Sequence, residues 1–212
     1  MSSDTVPDPF ADPAGTWNQR YQTEGFLFGT EPNDYLQRVA PRLPAGGRVL
    51  CVADGEGRNS VWLARQGFQV DAFDIAALGV DKARRLAAQA GVAVNYEVAG
   101  CDDWHWPQAT YDAVVAVFVQ FADPPARERL FARMAAALRP GGCLVLLGYT
   151  PRQLALRSGG PGRVEHLYTP ELLRTAFAAL EILELDEYDH ELAEGTQHVG
   201  RAALIGLLAR RR

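Results

Sequence analysis

Arg48-Val49-Leu50-Cys51-Val52-Ala53-Asp54-Gly55-Glu56-Gly57-Arg58-Asn59 decides the fold of this chain. Its first half is an apolar run with the composition of a buried strand. Gly55 and Gly57 then make a glycine turn, and a helical pattern over residues 60–65 follows at once. A glycine has no Cβ, so the backbone can bend tightly there and come close to a ligand. The unpaired N–H groups that open the next helix then face that ligand. A second strand-like run, Gln69-Val70-Asp71-Ala72-Phe73-Asp74, ends in a carboxylate 19 positions after Gly55. An acid about 20 residues past such a turn is where α/β nucleotide sites hold a ribose diol. Strand, glycine turn, helix, strand and acid in this order point to an adenosine-containing cofactor.

What is missing narrows the choice. A dinucleotide fingerprint wants a third glycine, and Ser60 stands in its place. A phosphate-binding loop needs Gly-Lys-Ser/Thr, whereas the only lysine of the chain is Lys82. An NAD-dependent oxidoreductase is therefore a lesser alternative, and a protein that binds the cofactor without catalysis is another.

The chain has 212 residues, enough for one domain with a soft upper limit of two. Residues 1–15 are rich in Ser, Asp and Pro and lack the features of a signal peptide, which predicts a short disordered leader and a cytoplasmic location. Cys51, Cys101 and Cys143 stand far apart beside apolar runs, the pattern of buried thiols. No metal site is expected. A net charge of −5 argues against nucleic-acid binding, and no apolar stretch is long enough to span a membrane. The acceptor is then a small molecule and the protein a monomer or homodimer. The last arginines, Arg210 to Arg212, are expected to be a solvated tail.

Strand-like and helix-like runs alternate. Helices are predicted over residues 17–24, 33–39, 60–66, 80–90 and 126–138, the last stopped by Pro140-Gly141-Gly142. Strands are predicted over residues 48–53, 69–74, 93–98, 111–117 and 143–149. Thr169-Pro170-Glu171 opens a further helix, with Thr169 as N-cap. Residues 181–189 and 201–209 read as an antiparallel pair. The fold class is α/β: a mostly parallel sheet, helices on both faces, and one antiparallel strand from the terminal hairpin. A helical and aromatic segment over residues 16–45 precedes a core over residues 46–209.

These segments resemble the class I S-adenosylmethionine-dependent methyltransferases over residues 16–209. Within that class the chain is similar to the bacterial group related to the tellurite-resistance methyltransferases, and more distantly to thiopurine methyltransferases. The resemblance rests on Trp17-Asn18-Gln19-Arg20-Tyr21, on Phe28-Gly29-Thr30-Glu31-Pro32-Asn33-Asp34-Tyr35-Leu36, and on Asp54-Gly55-Glu56-Gly57-Arg58-Asn59. Tyr111-Asp112-Ala113-Val114-Val115, Leu138-Arg139-Pro140-Gly141-Gly142, Gly159-Gly160-Pro161 and Glu194-Gly195 with His198 and Gly200 add to it. It implies a three-layer Rossmann-like fold with seven strands and S-adenosyl-L-methionine as cofactor. There are departures: Cys51 stands where the class has an acid, Ala53 where it has glycine, and Gly100-Cys101 where it has an acid or amide and an apolar residue. Gln120 replaces a histidine common in the subgroup.

The same resemblance sets the expected roles. Asp54, Gly55, Gly57 and Asn59 surround the methionine part, with Trp17, Arg20 and Gly29 beside it. Asp74 takes the ribose, Ile75 and Trp104 sandwich the adenine with Cys101 and Asp102 alongside, and Val117 offers a carbonyl. Trp17, Tyr21, Phe26 and Phe28 form an aromatic lid, apt for a sulfonium cation. Phe28, Phe121, Tyr149, His198 and the loop from Arg157 to Pro161 line the acceptor pocket; Tyr21, Gln120 and Arg152 are the catalytic candidates. In-line transfer depends on alignment, and a thiol near pKa 8.5 ionises readily. The absence of an obvious base therefore favours a small soft nucleophile: a thiol, or a selenium or tellurium species.

Overall fold

The computed structural model describes residues 12–156 and 158–212. Residues 1–11 of the expected leader, and Arg157 of the expected acceptor loop, lie outside the described residues. Seven strands form one sheet in the order β3-β2-β1-β4-β5-β7-β6. They are β1 (Arg48–Val52), β2 (Gln69–Asp74), β3 (Asn95–Val98), β4 (Tyr111–Val117), β5 (Leu138–Tyr149), β6 (Leu180–Glu194) and β7 (His198–Arg211). The first five are mutually parallel, and β7 enters antiparallel between β5 and β6. The order reverses between β2-β1 and β4, leaving a crevice past the carboxyl ends of β1 and β4, where open α/β sheets bind ligands.

Alternation along the strands sends successive side chains to opposite faces. Leu50, Val52, Val114, Leu144 and Leu146 pack on one face against Leu130, Phe131 and Met134 of α5 (Pro124–Ala137) and Leu173 and Phe177 at α7 (Pro170–Ala176). Val49, Cys51, Val115, Val145 and Leu147 pack on the other, against Tyr35, Leu36 and Val39 of α2 (Asp34–Val39) and Leu63 of α3 (Arg58–Arg65). Strands buried on both faces read as nearly continuous apolar runs, which is why β1 and β4 were legible.

Several boundaries differ from expectation. Helix α1 covers Pro13–Arg20, with the Asp12 side chain accepting from the Gly15 N–H at 2.9 Å, so helix begins inside the expected leader. Pro140-Gly141-Gly142 does not cap a helix. Helix α5 has ended at Ala137, and the three residues lie in β5, where the register with β4 shifts between Tyr111 and Ala113. A Cβ at Gly142 would stand 2.8 Å from the Tyr111 carbonyl oxygen, so the close approach of strands is what requires glycine there. The hairpin strands are longer than expected, and the arginine tail is part of the sheet. Arg210 pairs with Glu181 at 2.8 Å, and Arg211 donates to the Ala136 and Leu138 carbonyls. Helix α4 covers Ala77–Ala90, and a short α6 covers Gln153–Leu156.

Candidate active site

A cavity of about 640 Å³ opens at the carboxyl ends of β1, β2 and β4, within the range of roughly 300–1,000 Å³ usual for small-molecule sites. Its floor is the glycine turn. Ala53, just past the end of β1, has a φ of +48°, a left-handed conformation uncommon for a residue with a Cβ. Gly55 follows at φ +62°; its N–H donates to Asp74 Oδ2 at 2.9 Å, which ties the turn to the end of β2. Asp74 Oδ1 accepts from the Ala76 N–H at 2.8 Å. Asp54 takes the Ser60 hydroxyl. Ser60, the residue in place of a third glycine, thus anchors the turn from inside α3.

The two glycines serve different ends. Gly55 lines the cavity, and a Cβ there would meet the Tyr21 hydroxyl at 2.7 Å. Gly57, at φ +90°, faces away from the cavity: a Cβ would lie 2.7 Å from Cβ of Ala83 and 2.9 Å from the Tyr96 hydroxyl. Its expected approach to a ligand is therefore corrected to close packing of α3 on α4. Gly57 is the N-cap of α3 and no side chain caps that helix. Its first N–H groups, next to the cavity-lining Arg58 and Asn59, suit a carboxylate.

Burial sets the electrostatics. Desolvation raises Asp54 to about 7, its Ser60 hydrogen bond opposing, and raises Asp74 to about 6. A cationic ligand above these carboxylates would draw both toward the ionised form. Ile75, Cys101 and Asp102 lie on the wall beyond Asp74, with Val117 at the end of β4. Arg133 holds that wall by donating to the Cys101 carbonyl at 2.7 Å and to Asp102 at 2.5 Å. Burial pushes the Cys101 thiol up to about 12, so it is inert at neutral pH. Trp104 does not reach the cavity. It is 8% exposed, stacked on Phe73 at 4.8 Å and 12° between planes, and belongs to the core.

Trp17, Tyr21 and Phe28, three of the four residues expected in an aromatic lid, also line the cavity. Trp17 stacks on Tyr21 at 5.6 Å. Phe26 lies elsewhere, in a shallower recess with Leu78 and Arg85. Burial, with Asp74 and Glu56 nearby, pushes the Tyr21 phenol well above its ordinary pKa, which favours the protonated form. Arg20 lies behind the wall. Its guanidinium covers Trp17 at 4.4 Å and donates to Gln197 at 3.1 Å, linking α1 to the tip of the β6–β7 hairpin. Gly29 packs on Gly195 of that tip, where a Cβ would meet the Gly195 nitrogen at 3.2 Å.

At the far end Phe118 projects from the end of β4 with φ +58°, a conformation costly for a bulky residue and often found beside functional sites. It stacks on Tyr149 at 4.7 Å and meets His198 at 4.5 Å. Phe121 and His198 line this end; Tyr149 lies behind Phe118, 1% exposed. Gln120 is corrected from the catalytic candidates. Its amide nitrogen donates to the Tyr149 and His166 carbonyls, and its oxygen accepts from the Tyr149 N–H at 2.6 Å. It is a brace for the end of β5. Arg152 is corrected too: its exposed guanidinium pairs with Asp189 at 2.9 Å on the outer surface.

Four polar residues of the site escaped sequence reasoning as a group: Glu56, Arg58, Lys82 and Glu194. Glu56 is 4% exposed; it accepts the Leu27 N–H at 2.6 Å and the Lys82 ammonium at 2.8 Å. Glu194 receives Arg58 at 2.9 Å and Asn33 at 2.7 Å. The signal for this cluster in the sequence is Lys82, the single lysine of a chain whose other cations are arginines.

Comparison with known proteins agrees with this geometry. Residues 49–142 match the model of a methyltransferase domain family. Ubiquinone biosynthesis O-methyltransferase of Xanthomonas axonopodis pv. citri is 36% identical over 166 residues, which cover 76% of this chain and 68% of the relative. The tRNA 5-carboxymethoxyuridine methyltransferase of Escherichia coli K12 is 29% identical over 138 residues, 62% of this chain and 52% of the relative. The crystal structure of TehB from Haemophilus influenzae shares the fold with a TM-score of 0.67 at 17% identity, covering 94% of this chain and 67% of that one. The chain belongs to the class I S-adenosylmethionine-dependent methyltransferases. It is an enzyme whose cofactor is S-adenosyl-L-methionine; the oxidoreductase and non-catalytic alternatives are set aside. The cavity fits that cofactor: an uncapped helix start for a carboxylate, a strand-end acid for a diol and aromatic faces for a sulfonium.

Proposed function

We propose that the enzyme moves the methyl group to a small molecule through a soft, weakly acidic nucleophile, a thiol first, with selenium or tellurium species in the same class. One observation carries this reading. The cavity is lined by the aromatic rings of Trp17, Phe28, Phe118 and Phe121, and of the arginines that also line it Arg58 is committed to Glu194 while Arg129 and Arg133 are committed to Asp102. Such an aromatic lining suits a polarisable, uncharged group. The bound cofactor supplies an electrophilic methyl; the protein supplies enclosure and alignment, which can account for several kcal/mol of the barrier. Asp74 holds the ribose, the start of α3 the methionine carboxylate, and Trp17 and Tyr21 cover the sulfonium.

A second reading is a phenolic hydroxyl, favoured by the relative named ubiquinone biosynthesis O-methyltransferase. A nucleic-acid acceptor is disfavoured by the net charge of −5 and by pairing of exposed arginines with acids on the β6 side. The test is transfer of a labelled methyl group to thiols, selenite, tellurite, phenols and unmodified tRNA in parallel. Methylated thiol is the expected major product. Label confined to phenol selects the second reading, and label confined to tRNA overturns both.

A further inference from the structure

His198 is the first residue of β7, and its ring fills the gap between Phe28 and Phe118, with centroids 4.6 and 4.5 Å away. Nδ1 lies 3.1 Å from Oε2 of Glu194, across the hairpin turn. That carboxylate is held on every side. Arg58 reaches the same oxygen at 2.9 Å, and the Asn33 amide donates to Oε1 at 2.7 Å. All three charged or ionisable side chains are nearly enclosed, with 8% exposure for Arg58, 12% for Glu194 and 11% for His198.

An ionised carboxylate can only accept, so the hydrogen between the two residues belongs to Nδ1 of His198. In the neutral ring Nε2 then carries the lone pair. Nε2 makes no hydrogen bond among the described residues, is not one of the sealed unpartnered atoms, and belongs to a ring that lines the cavity. A histidine needed only as packing between two phenylalanines has no use for a buried carboxylate that fixes its tautomer.

We propose that His198 is the catalytic base of the methyl transfer, its Nε2 taking the proton of a thiol or phenol acceptor, and that Glu194 is the positioning residue that orients it. The proposal rests on the reading of the acceptor as a small protonated nucleophile. The acceptor's heteroatom–hydrogen bond breaks and its proton passes to Nε2. The electron pair released at the heteroatom forms the new bond to the methyl carbon. The carbon–sulfur bond of the sulfonium breaks, and its pair returns to sulfur, leaving a neutral thioether. One imidazolium is formed per turnover and discharges to solvent.

The groups that face the ring come from several elements: Glu194 from β6, Arg58 from α3, Arg20 from α1 and Tyr149 from β5, its ring 6.0 Å away. Burial lowers the imidazolium most, the Glu194 hydrogen bond opposes it, and the two arginines lower it further. The net shift is downward from 6.5, which keeps the ring neutral and able to accept a proton at pH 7. Bound S-adenosylmethionine adds a further positive charge to the same cavity.

His198→Asn keeps a donor for Glu194 and removes Nε2. The measurement is kcat/KM of wild type and variant with aryl thiols and phenols of one shape and graded acidity. A general base contributes about 10²–10⁴-fold. A loss of that size is expected for acceptors still protonated at the assay pH, and a loss under about tenfold for those already ionised. The acid limb of the wild-type pH profile should vanish in the variant. Equal losses for both kinds of acceptor, or an unchanged acid limb, would overturn the assignment. Nitrogen-15 NMR of the unliganded protein gives a readout independent of turnover: hydrogen on Nδ1 in wild type, and a mixed tautomer in Glu194→Gln. Hydrogen on Nε2 in wild type overturns the proposal whatever the acceptor. Wild-type enzyme that turns over no thiol or phenol overturns the acceptor reading instead.

Discussion

Nζ of Lys82 lies 2.8 Å from Oε1 of Glu56, with the two side chains only 10% and 2% exposed. The same ammonium donates to the Thr23 carbonyl at 2.9 Å and the Gly25 carbonyl at 2.6 Å, while Glu56 accepts the Leu27 N–H. One ion pair therefore fastens the aromatic segment across the glycine turn. Lys82→Met leaves a buried carboxylate without its cation, a loss that typically costs about 3–5 kcal/mol. Urea unfolding should show that cost, and the double variant Lys82→Met with Glu56→Gln should recover part of it. A single variant within about 0.5 kcal/mol of wild type would mean that the pair holds nothing.

Asp74 is the residue on which cofactor affinity should depend most. Its loss as a charged acceptor is worth about 1.5–3 kcal/mol, roughly 10- to 150-fold in Kd. The structure adds a second effect. Its two oxygens also accept the Gly55 and Ala76 N–H groups, so Asp74→Asn should loosen the turn and lower the melting temperature as well. Calorimetric titration with S-adenosylmethionine checks the first effect; unchanged affinity would remove Asp74 from the ribose.

The buried acids predict a pH dependence with a definite sign. Asp54 rises to about 7 and Asp74 to about 6, both mainly by desolvation. A group whose folded pKa is raised contributes stability below its unfolded value, near 4, and loses it as pH climbs through the folded value. Their contribution to the unliganded protein therefore falls between about pH 4 and 7. His198, lowered by burial, works in the opposite sense below about 6.5. Asp54→Asn isolates the first effect: its melting temperature should fall less than that of wild type from pH 5 to 8. Cofactor binding should release protons near pH 6, seen as a dependence of binding heat on buffer. Parallel melting profiles for variant and wild type would show that Asp54 stays ionised throughout.

The sequence carried the frame well because β1, β2 and β4 are buried on both faces and read as apolar runs ending in Asp54, Asp74 and Val117. It failed where meaning depends on pairing across the chain. Gly57 looked like a ligand contact, but its neighbour Ala83 lies 26 positions away on α4. Gln120 looked catalytic because of where it stands, whereas its partners Tyr149 and His166 lie 29 and 46 positions away along the chain. Glu194 and Arg58 are 136 positions apart, and no local pattern could join them. The antiparallel hairpin was legible, but its full length was not, because its acidic, half-exposed strand β6 alternates weakly.

The aromatic segment can be separated into a cover for the ligand and a part of the fold by two variants measured on the same samples. Deleting residues 1–30 removes Tyr21 and Leu27, which are 4% and 6% exposed, and uncovers Ala76 beneath them. Burial of each large side chain is worth about 1.5–3 kcal/mol. The deletion also strips Glu56 and Lys82 of four main-chain partners and frees the hairpin tip, where the Thr196 N–H donates to the Leu27 carbonyl at 3.0 Å. Truncation should therefore lower the melting temperature sharply. Trp17→Ala is different in kind: Trp17 is only partly buried, lines the cavity and touches Tyr21 and Arg20 through its ring faces. That variant should melt within a few degrees of wild type and lose most of its turnover, since the sulfonium and the acceptor lose a wall. A truncated protein that keeps the wild-type melting temperature would show that the segment is a detachable cover. A Trp17→Ala enzyme with full turnover would show that Trp17 serves only to hold Arg20 and the hairpin in place.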